Sequence, residues 1–84
     1  MIQHAYITDK ELYGMLRRKA ILFGGNSKLK IYGRLTCASG KRMKPANRVF
    51  FTSEKEAANN GYRPCGHCMR SEYRQWKHAR SLHD

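Results

Sequence analysis

Eighty-four residues carry 17 lysines and arginines against 6 aspartates and glutamates, for a formal net charge of +11, and 40% of them are hydrophobic. No stretch approaches the ~20 apolar residues of a membrane span, and Met1-Ile2-Gln3-His4 lacks the basic start and apolar run of a signal peptide, so we expect a cytoplasmic chain that neither spans a membrane nor is secreted. The single Trp, five Tyr and three Phe supply a modest core, which argues against disorder and for one domain over residues 1–84.

Thr8-Asp9-Lys10-Glu11 is a capping box, flanked by Ile7 and Leu12 at staple positions, and Leu12, Met15 and Leu16 continue one apolar stripe; a helix is predicted over about 8–19. Ala20-Ile21-Leu22-Phe23 reads as a short strand and Gly24-Gly25-Asn26-Ser27 as its turn. Leu29, Ile31, Gly33, Leu35 and Cys37 then alternate with polar or aromatic neighbours, a period of two that predicts a strand with those residues on its buried face. Residues 38–46 form a basic loop, Val49-Phe50-Phe51 a third strand, and Ser53-Glu54-Lys55-Glu56 a second capping box before a helix of barely two turns. A last helix follows Cys65-Gly66-His67-Cys68, with Met69, Tyr73 and Trp76 on one face. The expected fold is a small α+β domain, a short three-stranded antiparallel sheet flanked by helices.

A domain this short is marginal without a staple. Three cysteines cannot close a disulfide set, and their odd number suits a reducing compartment. Cys65-x-x-Cys68 is a metal half-site whose two thiolates can reach one ion, and Cys37 offers a third; soft thiolates favour Zn2+ over a hard cation. Inert core thiols remain an alternative. So does redox chemistry, because Cys-Gly-His-Cys is the active-site tetrapeptide of protein disulfide isomerases. A thioredoxin-type site needs a long apolar strand before its first cysteine, however, and here Asn59-Asn60-Gly61-Tyr62-Arg63-Pro64 leads in.

Ile31-Tyr32-Gly33-Arg34-Leu35-Thr36-Cys37, Asn47-Arg48-Val49-Phe50-Phe51, Glu56-Ala57 and Gly61-Tyr62-Arg63-Pro64-Cys65-Gly66-His67-Cys68 together resemble the metal-binding domain of the Ada DNA-repair family, over about residues 8–70. The family pattern runs Tyr-Cys-Arg-Pro-Ser-Cys, Asn-Val-x-Phe-Phe, Glu-Ala and Gly-Phe-Arg-Pro-Cys-x-x-Cys. The resemblance implies a zinc ion held by cysteines, four in the family, the first of which takes a methyl group from a methylphosphotriester in DNA. Tyr32, Arg34, Thr36 and Cys37 match the family's Tyr, Arg, Ser and second Cys, so Gly33 falls in the acceptor position and Leu35 replaces the proline. This register keeps Cys37, Cys65 and Cys68 as zinc ligands and leaves no catalytic residue. A shifted register would make Cys37 the acceptor of a suicide methyltransferase. Water or His67 could fill the fourth place on the metal, with His4, His78 and His83 behind them. A solvent-open zinc would suit hydrolysis, but residues 12–53 contain no Asp or Glu to act as base.

That same stretch holds ten Lys and Arg, a one-sidedness that points to a polyanionic partner. Arg34, Lys41, Arg42, Lys44 and Arg48 are the candidate nucleic-acid contacts, directed at phosphates because no base-reading element is evident. The expectation is a zinc-binding Ada-like domain that holds DNA by its backbone without methyl transfer, as a regulatory or adaptor module. A protein-interaction module with a protein partner is the further alternative. Membrane-surface binding is disfavoured, because these basic residues do not lie on an amphipathic helix.

Overall fold

The computed structural model describes residues 1–37 and 43–83. The chain runs β1 (Ile2–Gln3), a 3-10 turn (His4–Tyr6), α1 (Asp9–Arg17), β2 (Phe23–Asn26), β3 (Ile31–Arg34), a second 3-10 turn (Pro45–Asn47), β4 (Arg48–Phe51), α2 (Glu54–Asn59), β5 (Arg63–Pro64) and α3 (Arg70–His83). No helix among the described residues is long and apolar enough to cross a membrane.

The α+β class holds, but the sheet is not three-stranded and antiparallel. It has five strands in the order β1-β4-β2-β3-β5. The central three are antiparallel, as is β1 beside β4, whereas β5 runs parallel to β3 through Ile31↔Arg63 and Tyr32↔Pro64. Both added strands are two residues long, too short to leave a hydrophobic period, and Pro64 sits at an edge, where its missing N–H costs no ladder bond.

Helix α1 starts as its capping box dictates. Thr8 Oγ1 accepts from the Glu11 N–H at 3.1 Å, and Glu11 Oε1 accepts from the Thr8 N–H at 3.1 Å. The second box is half made. Ser53 Oγ accepts from the Glu56 N–H, but the Glu56 carboxylate reaches the Thr52 N–H at 2.8 Å, and this bond above all holds its pKa below the ordinary value.

The first hairpin differs from expectation by three residues. Gly24, Gly25 and Asn26 belong to β2, and residues 27–30 make the turn. Asn26 Oδ1 accepts from the Lys28 and Leu29 N–H groups at 2.9 and 3.1 Å, and this side-chain turn wins over the glycine signal. Gly25 serves packing instead: a Cβ there would lie 2.9 Å from the Phe51 ring and 3.1 Å from the Ile31 carbonyl oxygen. The predicted inward face of β3 is buried at Gly33 and Cys37 and half-buried at Ile31 and Leu35, but it fails at Leu29, which lies in the turn, and the opposite face is covered as well. Leu29 is 61% exposed, while Tyr32 is buried.

The reason is that both sides of the sheet are covered. Tyr32, Val49 and Phe51 pack with Ala57 of α2, Tyr62 and Met69 on one side, while Phe50 packs with Leu12 of α1 and Ile21 on the other. A strand buried on both faces reads as the continuous run Val49-Phe50-Phe51 rather than as an alternation. Tyr62 is part of the core, whereas Tyr73 and Trp76 are only half-buried.

Candidate metal centre

Strand β3 and the segment after β5 build the centre together. The parallel pairing continues beyond β5, where the Cys65 N–H donates to the Tyr32 carbonyl at 2.7 Å. This sets Cys65 alongside Gly33. The Cys65–Cys68 turn closes when the Met69 N–H donates to the Cys65 carbonyl at 3.0 Å, which swings Cys68 back toward β3. At the end of β3 the Cys37 N–H donates to the Arg34 carbonyl at 3.1 Å, and this turn brings Cys37 to the same place.

The three Sγ atoms lie within 4.8 Å of one another. A tetrahedral ion with bonds near 2.3 Å would space its sulfurs by about 3.8 Å, so the cluster suits Zn2+ with small rotamer adjustments. Two backbone donors already face the sulfurs: Arg34 N–H to Cys68 Sγ and His67 N–H to Cys65 Sγ, each at 3.4 Å. Such bonds orient thiolate ligands and offset their charge. Burial pushes the Cys68 thiol up to about 11; the Arg34 N–H works against this, while the neighbouring Cys37 and Cys65 add to the rise. Three crowded sulfurs carry their charge comfortably only beside a cation, and a soft donor set selects Zn2+.

Gly33 borders this cluster. A Cβ built there would stand 2.7 Å from Cys68 Sγ, 3.1 Å from Cys65 Cβ and 3.9 Å from Cys65 Sγ. A side chain at position 33 therefore points among the sulfurs. His67 is exposed, with its backbone N–H on Cys65. Among the described residues, no histidine or carboxylate joins the three cysteines in the cluster.

The candidate phosphate contacts divide. Arg34 is exposed, and its Nε donates to the Cys68 carbonyl at 3.3 Å. Arg48 is half-buried, with its guanidinium 5.1 Å over the Phe50 ring, and burial lowers its pKa from the ordinary value. Arg34, Arg48, Gly33, Cys37 and Cys65 line one cavity of about 270 Å3. Lys44 is exposed just before the second 3-10 turn. Lys41 and Arg42 lie outside the described residues. Sequence reasoning did not anticipate that Gly24 and Gly33, paired across β2 and β3, would form a side-chain-free wall of this cavity. The bare glycines in a strand were the available signal.

A mixed-sheet α+β fold that gathers a Cys-x-x-Cys turn and one distant cysteine within reach of a single ion defines a small zinc-binding domain. Residues 17–70, more than half of the chain, match the family described as the metal binding domain of Ada, and the chain belongs to that family. No curated protein and no solved structure matches it. Zn2+ is accordingly the ion that Cys37, Cys65 and Cys68 would hold.

Proposed function

We propose that this is an Ada-type zinc domain that binds the phosphate backbone of DNA and does not take up methyl groups. The observation that carries the second half is Gly33, whose missing side chain would enter the sulfur cluster. In the register set by Tyr32, Arg34, Thr36 and Cys37 this is the place of the family's acceptor cysteine, and glycine has no sulfur to alkylate. Burial of Cys37, 8% exposed, also argues against that thiol as a substitute acceptor. Bound zinc would hold the three thiolates and tie β3 to the Cys65–Cys68 turn, a structural rather than reactive service. Arg34, beside the centre, and Arg48, across the cavity, would meet phosphate oxygens, with Lys44 adding charge.

Incubation of the zinc-loaded protein with methylphosphotriester DNA, followed by mass measurement, tests the absence of transfer. No mass gain is expected; one methyl on Cys37 would overturn the reading in favour of a suicide methyltransferase. Titration with duplex DNA at low salt tests the rest. Binding that weakens steeply with salt is expected. No binding would favour a protein-interaction module.

A further inference from the structure

The strongest feature that the metal centre does not use is helix α3. It begins at Arg70, where the family match ends, and runs for 14 residues, so all but the first of them, about 20 Å of helix, lie beyond the matched region. Its described portion carries Arg70, Arg74, Lys77 and Arg80, and Glu72 is its one acid. At 100° per residue Arg70, Arg74 and Lys77 fall within a wedge of about 60°, and Glu72 projects on the opposite side. All three cations are exposed.

The helix meets the body along a neighbouring face. Met69, just before it, is buried, and Tyr73 and Trp76 stack on each other with centroids 5.9 Å apart. The Arg63 guanidinium lies 5.1 Å from the Tyr73 ring and 5.7 Å from that of Trp76, and Arg80 lies 5.3 Å from Trp76. The aromatics are thus occupied by cations and by the body of the domain. An interfacial membrane helix needs an open apolar face, and the described part of α3 does not present one. What it presents is a positive stripe. Like charges at the i,i+4 spacing of Arg70 and Arg74 repel within a helix, a cost that a bound polyanion would reverse.

The stripe begins close to the centre: Arg34 donates to the Cys68 carbonyl, two residues before Arg70 opens the helix. We propose that Arg70, Arg74 and Lys77 form a second phosphate-contacting surface for nucleic acid, distinct from Arg34, Lys44 and Arg48 and independent of base sequence. This rests on the reading above that the domain binds nucleic-acid phosphate.

The test compares the zinc-loaded full chain with an Arg70→Gln/Arg74→Gln/Lys77→Gln variant, glutamine being a good helix former. An Arg34→Gln/Lys44→Gln variant serves as the second arm. Zinc content and circular dichroism verify that each is folded. Anisotropy of a labelled duplex is followed between about 50 and about 200 mM salt. Every cation removed from a phosphate should reduce the slope of log affinity against log salt by about 0.9. The helix variant should therefore show a slope shallower by about 2 to 3, with affinity at least about tenfold weaker at the lowest salt. A helix variant with wild-type slope and affinity, while the Arg34/Lys44 variant is weakened, would overturn this inference alone. Failure of the unaltered protein to bind any duplex would overturn both it and the reading on which it rests. Binding to phosphatidylserine vesicles, with a blue shift of Trp76 emission and no response to DNA, would replace the nucleic acid by a lipid surface.

Discussion

Arg34 grips Cys68 at two points: its backbone N–H faces the Sγ at 3.4 Å, and its Nε donates to the carbonyl oxygen at 3.3 Å. The preceding residue makes this approach possible. With a hydrogen in place of Cβ, Gly33 lets the edge of β3 come close to Cys65 and Cys68, and the Arg34 N–H then falls beside the sulfur. Glycine at position 33 thus has a packing role.

Gly33→Ala should therefore weaken the centre without abolishing it. The added Cβ would press on Cys68 Sγ at 2.7 Å, and a sulfur held by zinc has little freedom to yield. Crowding of this kind costs about 1–3 kcal/mol. Cys65→Ser should cost more, because it removes a ligand from the ion. Thermal melts and chelator-competition affinities of both variants check the order; an alanine variant with wild-type zinc affinity would show that the cluster relaxes around position 33.

Chelation should unfold the domain. The core on either side of the sheet is small, with Phe50, Phe51, Ile21 and Val49 as its largest fully buried side chains. Structural zinc contributes roughly 10–16 kcal/mol of apparent binding energy in small peptide systems. Because thiols lose protons when they take up the metal, acid competes with zinc, and the chelator concentration needed for unfolding should fall as pH is lowered from 8 to 6. Far-ultraviolet circular dichroism with parallel zinc analysis measures both effects. Unchanged melting after verified metal removal would contradict them.

The sulfur cluster was legible because its signal is chemical: three cysteines, two of them at half-site spacing, make a soft donor set. Helix α1 and the start of α2 were legible because capping boxes act within a single turn. The shifted turn at 27–30 was not, because Asn26 competes with two glycines for the same task and only the packing of Phe51 against Gly25 decides between them. Strands β1 and β5 left no trace, since two residues have no period. The burial of Tyr32 was missed because alternation marks one buried side, and here α1 covers one side of the sheet while α2 and the Tyr62–Met69 segment cover the other.

Lys19→Gly should stabilise the protein. Lys19, two residues past the end of α1, lies at φ 55°, the left-handed region, and the Ala20 N–H donates to the Met15 carbonyl at 2.9 Å to close the cap. A side chain in that region costs roughly 1–2 kcal/mol, part of which glycine returns through its greater freedom in the unfolded chain. The expected net gain is about 0.5–1 kcal/mol, read as a higher melting temperature of the zinc-loaded protein. Lys30, at φ 58°, is a poorer site for the same change, because its Nζ lies 4.9 Å over the Tyr62 ring and glycine has no cation to place there.

Tyr62→Phe should be neutral or slightly stabilising. The Tyr62 ring packs edge-on against Phe51 with centroids 4.8 Å apart, and the residue is buried. Its hydroxyl has no hydrogen-bond partner among the described residues, and burial raises its pKa above the ordinary value. An unpaired buried hydroxyl costs about 1–3 kcal/mol of desolvation, whereas phenylalanine keeps the ring and its packing against Phe51. Chemical denaturation of the zinc-loaded variant should show a midpoint equal to or above that of the parent, with unchanged slope. A destabilisation of more than about 1 kcal/mol would mean that the hydroxyl is satisfied in solution, since only the removal of a hydrogen bond would make the change cost that much.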